Sequence, residues 1–206
     1  MIGILDYGIG NLGSIKNMLR KIGSPSLITS DPQEIKAADK LILPGVGAFD
    51  TGMEQLEKSG LVDLLHERAL NDKIPILGIC LGAQLMTKGS EEGNRPGLGW
   101  FDAETVKFDF DGVEGKWHLP NIGWREVVDH DAGPLLANFD RQPRFYFVHS
   151  YYMRSNIPSI VSMTTEYAFQ YHCGLRAGNL HCVQFHPEKS HRFGMQLLRN
   201  FAELDG

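Results

Sequence analysis

Three stretches of this 206-residue chain hold residue types at spacings that suit nucleophilic chemistry. In "GICLG", residues 78–82, Cys80 stands between Gly78 and Gly82, after the apolar run "IPILGI" and before a helical pattern. This is the form of a nucleophile elbow, in which the reactive side chain occupies a tight strand-to-helix turn and small neighbours give the strained backbone room. A helix N-terminus beneath the sulfur favours the thiolate, the form that attacks. The competing reading, a small buried hydrophobe at a strand end, leaves both flanking glycines unexplained.

A thiolate nucleophile needs a base, and eight histidines compete for the role. His186 lies in "CVQFHPE" at a predicted strand end, with Glu188 two residues on and Pro187 between them fixing one dihedral. Cys, His and an acid that orients the His is the logic of a catalytic triad. His149 in "FYFVHSYY" also ends a predicted strand, so the chemistry by itself leaves both histidines open. The third stretch, "LPGVGAF", residues 43–49, offers Gly45, Val46 and Gly47 after another strand. One of their amides, together with that of Leu81, has the makings of an oxyanion hole. His172-Cys173 and His181-Cys182 superficially form a Cys2His2 set, but adjacent strand residues point to opposite faces and cannot easily surround one ion. No metal is expected.

The elements that must position these groups follow from periodicity. Strands are predicted near 2–5, 26–29, 41–43 and 74–79, and helices near 11–22, 32–37, 50–71 with a break at Gly60, and 82–88. Such alternation implies βαβ crossovers and a parallel sheet, whose carboxyl-end edge would carry both Cys80 and the 43–49 loop. From Gly97 the pattern turns β-rich, with strands predicted at 103–109, 124–128, 144–148, 159–164, 172–177 and 180–185, the last two flanking a Gly178-Asn179 hairpin. A closing helix from about Ser190 buries Phe193, Leu197, Leu198, Phe201 and Leu204. Residues 110–118 are predicted to be a mobile loop.

Gly8-x-Gly10-x-x-Gly13 has the spacing of a dinucleotide fingerprint, with Asp31 as the ribose-binding acid. However, Asp31-Pro32-Gln33-Glu34 reads as a capping box that occupies this carboxylate. The fingerprint also begins late, after polar Asp6 and Tyr7.

Composition narrows the field. A net charge of −5 with no basic run argues against a nucleic-acid surface, and no apolar stretch reaches the length of a membrane span. Three scattered cysteines make no disulfide framework, so a reducing cytoplasm is expected, and residues 1–206 read as a single domain.

Taken together, "GICLGAQ" and "QFHPEKS" resemble the class I, or triad, glutamine amidotransferases. Adding "ILDYGIGNLGS", "LPGVGAF" and "HSYY" narrows the resemblance to the glutaminase subunits of imidazole glycerol phosphate synthases. The resemblance implies an α/β, three-layer, flavodoxin-like fold whose central sheet is mostly parallel, with added antiparallel strands in the second half. It implies that Cys80 attacks the side-chain amide of glutamine, that His186 transfers protons and that Glu188 orients it. Gly47, Leu81 and Gln84, with the backbone of Ser150 and Tyr151, would hold glutamine or its oxyanion, and His149 would neighbour that clamp. No cofactor is implied. The implied partner is a (β/α)8-barrel cyclase subunit, in a heterodimer that passes ammonia across its interface. Asn11, in the opening glycine loop, would be a polar contact there. The family usually carries a segment like PHxGWN where this chain reads "PNIGWRE", placing Asn121 and Arg125 beside Trp124 at or near the expected interface. That departure leaves a paralogue that supplies ammonia for amidines on bacterial surface sugars as the alternative.

Overall fold

The computed structural model describes residues 1–130 and 133–205. Its first half alternates β1 (Ile2–Leu5), α1 (Leu12–Lys21), β2 (Ser26–Thr29), α2 (Pro32–Ala37), β3 (Lys40–Gly45), α3 (Phe49–Lys58), α4 (Val62–His66), β4 (Ile76–Cys80) and α5 (Leu81–Leu85). The second half adds β5 (Glu104–Lys107), β6 (Asn121–Glu126), β7 (Val128–Asp129), β8 (Arg144–His149), β9 (Tyr151–Arg154), β10 (Val161–Tyr167), β11 (Phe169–Ala177), β12 (Leu180–Val183) and α6 (His191–Ala202).

The large sheet runs β2-β1-β3-β4-β12-β11-β10-β7, with β9 pairing β11 and β5. Pairing is parallel from β2 through to β12 and antiparallel beyond it. Alternating side chains feed two hydrophobic clusters. Leu41 and Leu43 of β3 meet helices α2 to α5 on one face, while Ile42 joins α1 and α6 on the other. This is the three-layer α/β arrangement expected, and it explains why β4, covered on both faces, is apolar throughout.

Several predicted elements move. The helix expected over 82–88 is the five-residue α5, and the strand expected over 124–128 starts at Asn121, its early part masked by Gly123, a residue that usually weakens strands. β9 was not anticipated, because only Ser150 separates it from β8 and its partners lie far away in sequence. The capping box is half made. Asp31 Oδ1 accepts from Gln33 N at 2.7 Å, but Glu34 bonds the Thr29 hydroxyl instead of reaching back to Asp31. Residues 110–118 form no helix or strand and are tied at Tyr167, whose hydroxyl accepts from His118 N at 3.2 Å and donates to His118 O at 2.8 Å.

What matters for function is the register. Gly45 at the end of β3 lies opposite Cys80 at the end of β4, and Ile79 lies opposite Val183 of β12, whose chain runs on to His186. Three neighbouring strands therefore deliver their carboxyl ends to one edge.

Candidate active site

Cys80 adopts φ 54°, ψ −111°, a backbone conformation that residues with a side chain seldom tolerate. The surrounding glycines explain how it is held. A Cβ on Gly82 would overlap the Leu43 carbonyl oxygen, and one on Gly78 would overlap the Met86 sulfur and stand 2.8 Å from Ala83 Cα. The turn thus closes because β3 and α5 touch backbone to backbone, which places Cys80 in a cleft of about 340 Å³.

The cleft is lined by Val46, Gly47, Leu81, Gln84, His149, Ser150, Tyr151 and His186 together with Cys80, all singled out from sequence. It also draws on Glu92 and Lys189, which sequence reasoning missed. Glu92 Oε2 accepts from Phe49 N at 2.9 Å, and its only sequence signal was a carboxylate in the Gly-rich segment after α5. Gln184, also missed, reaches Cys80 Sγ with its amide nitrogen at 3.9 Å. Its position two residues before His186 on a strand continuation was the available clue.

The two histidines are in opposite electrostatic states. His186 Nδ1 lies 2.8 Å from Glu188 Oε1, and both side chains are buried. Burial opposes the charged imidazole, yet hydrogen bonds to Cys80 and Glu188 and the charges of both outweigh it, pushing its pKa up to about 10. His149 is also buried, but burial dominates there and lowers it to about 3. Its Nδ1 is 2.7 Å from the Tyr151 carbonyl, and its Nε2 meets Tyr171 Oη at 3.1 Å and Asn121 Nδ2 at 3.2 Å. Both ring nitrogens of His149 are engaged, whereas His186 faces Cys80. Burial pushes the thiols of Cys173 and Cys182 up, and they lie in different hydrophobic clusters, so the pairs His172-Cys173 and His181-Cys182 do not converge.

Other expected positions fall differently. Gln84 lines the cleft, but its amide nitrogen already donates to Tyr151 O and Gln184 Oε1, both at 3.1 Å. Gly47 has φ 103° beside Val46, which is 43% exposed. Asn11 is the residue before α1, outside the cleft lining; its loop abuts β3, since a Cβ on Gly10 would lie 3.2 Å from Pro44 Cβ. Trp124 is 40% exposed and stacks on His191. Asn121, expected at the partner surface, is fully buried, because its amide is needed by His149, Tyr171 and Arg125. Glu188 Oε2 is buried without a hydrogen-bond partner among the described residues.

Comparison with known proteins agrees with the fold. A family model described as glutamine amidotransferase class-I matches residues 3–204. The chain is 49% identical over 203 residues to imidazole glycerol phosphate synthase subunit HisH 2 of Methanococcus maripaludis, covering 98% of this chain and 99% of that protein. It is 45% identical to the subunit of the same name from Pseudomonas aeruginosa, covering 99% and 100%. A crystal structure of a glutamine amidotransferase superposes with a TM-score of 0.75 at 19% identity, over 98% of this chain and 97% of that one.

Two predictions follow from the geometry. Gly82→Ala should cost about 1–3 kcal/mol or more, because the added methyl meets backbone that cannot swing aside; a urea midpoint equal to wild type would contradict the contact. The second concerns acid. Folded His149 takes up a proton only near pH 3, the unfolded chain near 6.5, so its contribution to stability is whole above 6.5 and lost as pH falls towards 3. Urea unfolding from about pH 7 to about pH 5 should show a shallower loss in His149→Gln than in wild type. Parallel losses would show that His149 is not held neutral.

Proposed function

This chain belongs to the class-I glutamine amidotransferases, and from that premise we propose that it is the glutaminase subunit of an imidazole glycerol phosphate synthase. The observation that carries the chemistry is one cluster: Cys80 on a positive-φ strand-to-helix turn, sharing its cleft with His186, which is held at 2.8 Å by Glu188. In this reading the Cys80 thiolate attacks the side-chain amide carbon of glutamine. The oxyanion is received by the amide of Leu81 and an amide of the Gly45-Val46-Gly47 segment, which shares the same sheet edge. Imidazolium is the right partner for that step. His186 gives its proton to the leaving nitrogen as the C–N bond breaks, so ammonia departs and a thioester remains. His186 then takes a proton from water, whose oxygen attacks the thioester and releases glutamate with the Cys80 sulfur restored. Glu188, buried and bonded to Nδ1, orients the ring and stabilises its charged form.

Glutamine is a zwitterion, and the cleft offers one acid and one base outside the triad. Glu92 suits the α-ammonium and Lys189 the α-carboxylate, with the backbone of Ser150 and Tyr151 along the wall. Free ammonia in neutral water is mostly protonated and no longer nucleophilic, so a glutaminase of this kind works beside a synthase subunit. We assign that partner the form of a (β/α)8-barrel cyclase, the complex a cytoplasmic setting, and residues 1–206 the role of a single amidotransferase domain. Trp124 and neighbouring Ile122, exposed on β6, suit the interface. The sugar-amidating alternative gains nothing from relatives that bear the synthase name.

The test is glutamate release from glutamine by the full chain, alone and with the cyclase subunit of its own organism carrying a ribonucleotide ligand. Stimulation by the liganded partner is expected; a well-folded chain that never hydrolyses glutamine overturns the proposal. Cys80→Ala should abolish turnover while keeping partner binding. Glu188→Gln should slow turnover by less, since Glu188 orients and does not attack, and equal losses would give it a more direct part.

A further inference from the structure

We propose that Arg125 is a positioning residue for the reaction at Cys80, acting from the two-stranded β6-β8 sheet through an unbroken run of hydrogen bonds; the inference rests on Cys80 being the nucleophile. The guanidinium carbon of Arg125 lies 4.2 Å from the Tyr167 ring centroid, and its Nε donates to Asn121 Oδ1 at 2.7 Å. With Oδ1 so engaged, Asn121 turns its NH2 inward, to Tyr171 Oη at 3.0 Å and His149 Nε2 at 3.2 Å. His149 Nε2 then accepts, so its proton sits on Nδ1 and is donated to the Tyr151 carbonyl at 2.7 Å. The second donor on that carbonyl is Gln84 Nε2 at 3.1 Å, which also donates to Gln184 Oε1 at 3.1 Å. Gln184 is left with its own NH2 directed at Cys80 Sγ, 3.9 Å away.

The run matters because each member's orientation is set by its neighbours. An amide turned over at Asn121, Gln84 or Gln184 would set donor against donor or acceptor against acceptor, and all three are buried where such a mismatch is costly. Asn, Gln and His can each be read two ways; Arg has only donors and never loses its charge. Arg125 therefore fixes which way Asn121 faces and, through it, seats His149 against the Tyr151 carbonyl; that carbonyl, which can only accept, takes a donor from each side and holds Gln84, so the run ends in an N–H offered to the sulfur that becomes negative. It also fixes the Tyr151 carbonyl, which sits in the cleft wall. Arg125 is half-buried and follows exposed Trp124, so the run links the surface strand to the nucleophile.

Arg125→Ala and Asn121→Asp in the full chain test this. Asn121→Asp keeps a partner for Arg125 but replaces the inward donor with an acceptor, so it decides the matter if Arg125→Ala fails to fold. The readouts are the rate of Cys80 alkylation by iodoacetamide, with Cys173 and Cys182 buried, and kcat and KM for glutamine in the complex with the synthase partner. Both variants should be alkylated about tenfold more slowly near neutral pH and lose about tenfold in kcat, with KM within about twofold. Adding Gln184→Ala should slow them no further, because the three residues act as one unit. Arg125→Lys, which restores charge without the planar fork, should recover only part of the rate. Unchanged thiol reactivity in both variants, or a loss confined to Tm or partner affinity, overturns the proposal. A wild-type chain that neither reacts at Cys80 nor hydrolyses glutamine overturns instead the reading on which it rests.

Discussion

The site depends on one close approach between backbones. Strand β3 and helix α5 meet with no space for a side chain at Gly82, and this contact forces the chain between β4 and α5 through the conformation that lifts Cys80 out of the sheet. The same contact fixes the spacing between the sulfur and the Gly45-Val46-Gly47 segment, since Gly45 and Cys80 are register partners. The cost of holding a non-glycine residue at positive φ, about 1–3 kcal/mol, is offset by burial of β3, β4 and α5 in two clusters.

Electrostatics then separates two histidines that local sequence could not. His149 ends β8 and His186 lies three residues past β12, both buried, and desolvation acts on both against charge. At His186 a thiol and a carboxylate reverse that balance. At His149 burial dominates; the Tyr151 carbonyl favours the charged ring but is outweighed, and the positive charges of His186 and Arg125 push the same way as burial. The difference lies in a local carboxylate and the Cys80 thiol at one ring, against groups from β6, β9 and β11 at the other.

That is also the boundary of what the sequence displayed. Local information settled the parallel half, because β1, β2 and β3 are each followed by a helix with one buried face and β4 is an unbroken apolar run, and the Gly-x-Cys-x-Gly spacing recorded the steric need at the elbow directly. Asn121 was misplaced at the surface because its burial comes from pairing with β8 and from partners at 149 and 171 that no local window contains, beside Arg125 four residues on. Glu92 and Gln184 went unseen for a similar reason: each is an ordinary polar residue until β3, β4 and β12 share an edge. β9 is invisible locally, as its stabilising neighbours are β5 and β11.

Cys80 and His186 are anchored differently. Cys80 ends a strand of the large sheet, but the backbone amide of His186 is bonded to Tyr146 O, and Tyr146 belongs to β8 of the small sheet. Ser190, a few residues on, fastens the same segment by accepting from Tyr146 N at 3.0 Å and donating to His186 O at 2.6 Å. His186 is thus held from two sides, through β12 by the large sheet that also carries Cys80 and through Tyr146 by the β6-β8 ribbon, like a beam pinned at both ends.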